Sequence, residues 1–125
     1  MVIGVGCDII EIKRVAKAIE REAFVQRVFT ASEAAYCRSR GQQAAASFAA
    51  RFAAKEAVLK ALGTGLRGGE LTEIAITNDV LGKPQVELSG YHLQLAQARG
   101  VARIHISLSH SRETAIAYVV MEDGK

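Results

Sequence analysis

From Ser47 to Gly65 the chain runs Ser-Phe-Ala-Ala-Arg-Phe-Ala-Ala-Lys-Glu-Ala-Val-Leu-Lys-Ala-Leu-Gly-Thr-Gly, and no other stretch limits the fold so tightly. Ala, Leu, Lys, Glu and Arg are strong helix formers, and neither Pro nor an interior Gly interrupts them. Ser47 suits an N-cap, and Gly63 and Gly65 suit a helix stop. At helical spacing Phe48, Phe52, Leu59 and Leu62 form one apolar stripe, and alanines pave the opposite side. Neighbours can therefore approach closely all round, and the pattern predicts a central, mostly buried helix. Lys55 falls inside the apolar stripe, Arg51 and Glu56 sit at its edges, and Lys60 follows Glu56 by one turn. A buried charge costs several kcal/mol unless it is paired or bound, so these four residues are the first candidates for a functional site. They also fit a plainer description, as long side chains snorkelling from a half-exposed helix with Glu56 and Lys60 as an ordinary i,i+4 pair.

The totals narrow the options. A chain of 125 residues suits one domain with a real core. Half the residues are hydrophobic, high for a small chain, which predicts that some surface is covered by another copy of itself. A net charge of +3 favours an acidic or phosphorylated partner without singling out nucleic acid. The three Tyr and four Phe are not interleaved with basic clusters, so no base-stacking platform for nucleic acid is predicted. Cys7 and Cys37 are too few for a disulfide framework or a Cys-based zinc site, and predict a reducing, cytoplasmic compartment. Neither a signal-like opening nor an apolar run long enough for a membrane is present, so a soluble protein is expected.

Along the chain, Val2 to Cys7 is short, apolar and β-branched, and predicts a buried strand. Asp8-Ile-Ile-Glu11 has the capping-box form, predicting a helix that Asp8 caps. Ile12, Val15, Ala16 and Ile19 would share one face of it, and Arg14, Lys17 and Arg21 the other. Phe24 to Phe29 is a short amphipathic piece, and Thr30-Ala-Ser-Glu33 opens another helix to about Arg38. The glycine-rich turn Gly63–Gly69 follows a helix rather than preceding one, so it is no phosphate loop of the NTPase kind. Leu71–Thr77 and Gln85–Leu88 predict two strands joined through Asn78-Asp79 and Gly82-Lys83-Pro84. Ser89 can cap a helix from Tyr91 to Ala98. The clearest alternation places Arg103, His105, Ser107 and Ser109 on one face and Ile104, Ile106 and Leu108 on the other. A turn at His110–Glu113 and a returning strand at Thr114–Met121 complete one α+β domain, residues 1–125, with a mostly antiparallel sheet packed on the long central helix.

Two acids, Asp8 and Glu56, stand at or inside buried elements. A hard cation such as Mg²⁺ takes one or two carboxylates plus substrate phosphates and water. Asp8 alone could be a helix cap, and His110 alone a polar turn residue. With Arg51, Lys60 and His110 they look more like a metal and phosphate site. Lys55 and Lys60 flank Glu56, a setting that favours its ionised form. His105, mid-strand, is expected to be structural, and no Gly-x-Ser-x-Gly elbow supports a hydrolase reading of Ser107–His110.

Taken as an ordered set, these motifs resemble the short bacterial holo-acyl-carrier-protein synthase class of 4′-phosphopantetheinyl transferases. The matching residues are Gly4-Val-Gly6-Cys-Asp8-Ile, Phe29-Thr30 with Glu33, Arg51-Phe-Ala-Ala-Lys55-Glu56-Ala-Val-Leu-Lys60-Ala, Gly63-Thr-Gly65, Gly82-Lys83-Pro84 and Ser107-Leu-Ser109-His110-Ser111. The resemblance spans nearly the whole chain and implies the 4′-phosphopantetheinyl transferase fold. It implies transfer of the phosphopantetheine arm of coenzyme A onto a serine of apo acyl carrier protein, in fatty acid biosynthesis, with Mg²⁺. It implies that Asp8 and Glu56 hold the metal, that Lys60 and His110 contact phosphates, and that Lys55 and Arg51 support the site, with Glu56, Lys60 and Lys55 as the catalytic set. Gly82, Lys83, Pro84, Ser109, His110 and Ser111 would line the coenzyme A pocket, and Arg14, Lys17 and Arg21 would meet the acidic carrier. A homotrimer with sites between subunits is implied as well. A non-catalytic module that captures an acidic protein, or a small phosphohydrolase using the same metal site, would share parts of this pattern.

Overall fold

The structure, a computed structural model, describes residues Met1–Lys125. Strand β1 (Val2–Glu11) leads into α1 (Ile12–Ala18), α2 (Glu22–Val28), α3 (Ala31–Arg38) and the long α4 (Ala44–Leu62). A hairpin of β2 (Ile74–Asn78) and β3 (Pro84–Leu88), then α5 (Gly90–Ala98), β4 (Arg103–His110) and β5 (Thr114–Glu122), complete the chain. The strands form two antiparallel sheets: a three-stranded one ordered β1-β5-β4 and the separate hairpin β2-β3. This is the expected α+β architecture on a central helix.

Helix α4 is the axis of the core. Its alanines Ala46, Ala49, Ala50, Ala53, Ala54 and Ala57 are all buried, along with Phe48, Val58, Leu59 and Leu62. One hydrophobic cluster joins its C-terminal half to Ile74, Ile76, Ile106 and the inner face of β5; the other joins its N-terminal half to Val15, Val25, Phe29 and Cys37. Gly63 ends the helix at φ 80°, a left-handed conformation that favours glycine. On the sheet side, β1 comes so close to α4 that only glycine fits. A Cβ at Gly6 would lie 1.9 Å from the Ala57 carbonyl oxygen, and one at Gly4 2.4 Å from that of Ala61. That approach brings Asp8, two residues on from Gly6 and on the same face, within reach of the helix.

Three local expectations are corrected. Asp8 is not a helix cap: β1 continues to Glu11, and Asp8 pairs with Ala117 in the ladder. Cross-strand hydrogen bonds override the capping-box form, and α1 starts with no side-chain cap at all. Ser47 is not the N-cap of α4, which begins at Ala44 straight after a 3₁₀ turn at Gly41–Gln43; its hydroxyl donates to Cys37 Sγ at 3.3 Å. The strand expected from Leu71 starts only at Ile74, because Leu71–Glu73 forms a 3₁₀ turn. Thr30 and Glu33 do form the expected reciprocal capping box on α3.

Candidate active site

On the β1 side of α4, Lys60 Nζ donates to Asp8 Oδ1 at 3.0 Å and to the Cys7 carbonyl oxygen at 2.9 Å. Lys60 is half exposed, while Asp8 is largely shielded beneath it. Glu56, one turn earlier, is half-buried. Its own burial, and then the negative charge of Asp8, push its carboxyl above the usual glutamate range, and Lys60 offsets this only in part. Of the two lysines expected to favour its ionised form, only Lys60 does so, and burial with Asp8 outweighs it. Lys55 turns to another flank of the helix, because consecutive helical residues point about 100° apart.

Asp8 and Glu56 are two hard oxygen donors whose mutual repulsion is incompletely relieved, a setting that a divalent cation would complete. No cluster of three or more His, Cys, Asp or Glu gathers anywhere in the protein, so such an ion would take its remaining oxygens from water or substrate.

A second polar region lies on another flank of α4. Arg51, Gly82, Pro84, Ser109 and His110 line one cavity of about 210 Å³, together with Tyr36, Arg40, Gln43, Ser47, Ala50, Asn78 and Leu108. Of these, Tyr36 and Asn78 were not legible as site residues in the sequence, since two separate elements, α3 and β2, deliver them. The Arg51 guanidinium stacks 4.4 Å from the centre of the Tyr36 ring. It donates to the Asn78 amide oxygen at 3.3 Å and to Ser47 Oγ at 3.4 Å. Its Nε–H is buried with no partner. A buried cation with an unused donor, beside Arg40 and His110, suits an anionic group.

The remaining expected residues fall elsewhere. Lys55, expected among the catalytic groups, is wholly buried and bound to Glu33, so it touches neither region's free space. Burial pulls its ammonium below the ordinary lysine range, with Glu33 opposing. Lys83 is exposed at the hairpin end and does not line the cavity. Ser111 lines an adjoining depression with His110, Arg112 and Gln42, where its hydroxyl bonds that of Thr114 at 3.1 Å. Arg14, Lys17 and Arg21 do gather on one open, exposed surface with Ala18 and Glu20, although α1 ends at Ala18 and Arg21 precedes α2. The cavity of Arg51 and His110 is lined by neither Asp8, Glu56 nor Lys60. Within one chain the expected site is therefore in two parts.

This fold and these two regions define a class. The sequence model of the 4′-phosphopantetheinyl transferase superfamily matches residues 4–119, and the chain belongs to that family. It is 50% identical over 125 residues to the holo-[acyl-carrier-protein] synthase of Trichlorobacter lovleyi, covering 98% of each chain. Among solved structures it superposes on holo-[acyl-carrier-protein] synthase from Neisseria meningitidis with a TM-score of 0.88 and 36% identity, covering 98% of this chain and 100% of that one. The Bacillus anthracis holo-(acyl-carrier-protein) synthase, solved in complex with CoA (3′,5′-ADP), matches with a TM-score of 0.81 and 36% identity over 99% of both chains.

Proposed function

We propose that this chain, acting as one domain, transfers the 4′-phosphopantetheine group of coenzyme A to a serine of apo acyl carrier protein, supplying holo carrier for fatty acid biosynthesis. The observation that carries this reading is the Asp8–Glu56 pair with Lys60 across it, on a chain similar over its full length to holo-acyl-carrier-protein synthases.

The serine oxygen attacks the phosphorus that bears the pantetheine arm. The bond from that phosphorus to the bridging oxygen breaks, and adenosine 3′,5′-bisphosphate leaves with the electron pair. Asp8 and Glu56 would hold Mg²⁺, which when bound neutralises charge on the pyrophosphate. Lys60 adds a mobile positive charge at the same edge and stabilises the departing phosphate. Glu56, directly or through a water that it orders, takes the serine proton. Arg51 and His110 bind the adenosine bisphosphate end in the second cavity, with Gly82, Pro84 and Ser109 as walls. Ser111 lies in the adjoining depression, and Lys83 sits in the chain between the wall residues Gly82 and Pro84. Arg14, Lys17 and Arg21 receive the acidic carrier.

The two parts of the site join across copies of the chain. A cavity this small holds one end of coenzyme A rather than all of it. The outer face of the three-stranded sheet also exposes Val5, Ile9, Ile116 and Tyr118, an apolar surface suited to self-association. A homotrimer is the assembly proposed, and sedimentation at micromolar concentration should give three times the chain mass; a fully active monomer would rule out the shared site. The cytoplasm is the compartment proposed, supported by two free cysteines and no disulfide. No helix is long and apolar enough to cross a membrane.

The direct test is to incubate the protein with coenzyme A, Mg²⁺ and an apo carrier and to weigh the carrier. A gain of one phosphopantetheine supports the reading. Bisphosphate release without that gain would instead show hydrolysis, and no change in either would leave a binding module.

A further inference from the structure

The β2-β3 hairpin carries Asn78, Gly82 and Pro84 to the cavity, yet no strand hydrogen-bonds it to the β1-β5-β4 sheet. Ile74 and Ile76 pack on the α4 core, but that contact is non-directional, so something else must fix the hairpin's register against the helix. Three donors of Lys55 Nζ do so: one to Glu33 Oε1 at 2.8 Å, one to the Leu71 carbonyl at 3.0 Å and one to the Ile74 carbonyl at 2.7 Å. Glu33 completes the network by accepting the Ile76 backbone N–H at 2.7 Å and the Thr30 N–H at 2.8 Å. Every group is matched, and the network ties α3, α4 and the start of β2 together out of contact with solvent.

We propose that the buried Lys55–Glu33 ion pair is a positioning device for the nucleotide cavity, fixing the β2-β3 hairpin at the spacing at which Asn78, Gly82 and Pro84 face Arg51. This rests on reading that cavity as the site of the adenosine bisphosphate end of coenzyme A. Apolar side chains would spare the desolvation of two charges but would leave the Leu71 and Ile74 carbonyls and the Ile76 N–H without partners, so what this place calls for is a polar tie to the strand. What the pair supplies is direction: four of its hydrogen bonds to backbone and side chain fix the register of helix against strand.

The placement along α4 supports this division of labour. Arg51 and Lys55 lie one turn apart and meet β2 at its two ends, Arg51 at Asn78 and Lys55 at Ile74. Lys55 bonds are short and saturated, whereas Arg51 holds its partners at 3.3 and 3.4 Å and keeps Nε–H free. With Lys55 as the tie, Arg51 can turn its donors to an anion without releasing the hairpin. Lys55 and Glu33 thus act on the substrate only through the cavity wall.

The test compares wild type, Lys55→Met and the double variant Glu33→Gln/Lys55→Met. Adenosine 3′,5′-bisphosphate affinity is measured by calorimetry, and KM for coenzyme A and kcat by the carrier assay. In the double variant, which leaves no unpaired buried charge, cooperative unfolding should persist. Its bisphosphate affinity should still fall about tenfold, roughly what losing one hydrogen bond's worth of contact costs once the cavity wall shifts. KM should rise by the same factor while kcat at saturating coenzyme A changes far less. A folded double variant that binds the bisphosphate like wild type overturns the proposal. If the wild type itself does not bind the bisphosphate, the cavity has been misread and the positioning role falls with it. Should neither variant fold, amide exchange in the wild type decides: the Ile76 amide should be as protected as those of β5, and faster exchange would overturn the tie.

Discussion

Helix α4 carries two lysine–carboxylate pairs only five residues apart, nearly equal in length and opposite in character. Lys55 meets Glu33 at 2.8 Å with both side chains sealed from water, and Lys60 meets Asp8 at 3.0 Å with the lysine more than half exposed. Distance alone would rank them as equals. In the buried pair, every donor and acceptor is matched by neighbours, and neither group can move without leaving a charge unpaired. In the open pair, water and salt compete for Lys60, and Glu56 stands beside it with its repulsion from Asp8 unresolved. The first arrangement holds geometry. In the second, Lys60 is free to exchange Asp8 for a phosphate, and Asp8 to exchange Lys60 for a cation, which is what a phosphoryl-transfer site needs.

The largest expected effect follows from breaking the buried pair. Lys55→Met leaves Glu33 charged in the core and should cost about 3–5 kcal/mol in urea unfolding. Removing Lys60 from the exposed pair by Lys60→Gln should cost less than about 1 kcal/mol. Similar losses for both would erase the distinction between them.

Activity should respond in the reverse sense. Asp8→Ala or Glu56→Ala should lower turnover by about a hundredfold or more, since each ~1.4 kcal/mol of lost transition-state stabilisation is tenfold in rate. Both variants should remain folded, and the double variant should be little worse than either single one because the two act as a unit. A Glu56→Ala protein with near-normal, Mg²⁺-dependent turnover would remove Glu56 from the reaction.

How much of this was legible in the sequence depended on whether the partner was near in the chain. The Thr30–Glu33 box was readable because both of its bonds close within one turn. The same motif hid the second role of Glu33, whose partners Lys55 and Ile76 lie 22 and 43 residues away. Asp8 matched the same cap pattern and misled, because the long ladder to β5 outweighs a local cap. Helical spacing correctly singled out the charged residues of α4 but could not say which would face a carboxylate in the core and which the open edge. Tyr36 and Asn78 carried no local signal, since only the packing of α3 and β2 on α4 brings them to Arg51.

A smaller effect belongs to the basic surface of α1 and the turn after it, which resembles the open pair in being exposed and screened. Arg14→Glu or Arg21→Glu should weaken binding of an acidic carrier several-fold at low salt, with coenzyme A binding unchanged. The difference should shrink as salt rises, since at about 0.1 M the screening length is roughly 10 Å. Surface-binding measurements at several salt concentrations check this, and a difference independent of salt would point to lost packing instead.

The smallest effect tests the open edge by pH. Burial and Asp8 raise the Glu56 carboxyl above the value it has in the unfolded chain. Between the two values the folded protein holds more protons than the unfolded one, so stability falls as pH rises through that window. Above it the penalty is constant, and below it the penalty is absent. Glu56→Gln cannot ionise, so without divalent cations it should be more stable than wild type at neutral pH and should lose that advantage on acidification through the window. Half exposure screens the effect, and the gain in Tm should be a few degrees at most, as about 1 kcal/mol moves a domain of this size by roughly 4 °C. Thermal unfolding of both proteins across pH measures it. Adding Mg²⁺ should shrink or reverse the difference, because an ion bound by Asp8 and Glu56 stabilises only the folded wild type. An advantage flat across pH would mean that Glu56→Gln acts through packing. A disadvantage at neutral pH without the ion would mean that the attraction to Lys60 outweighs burial and Asp8 together.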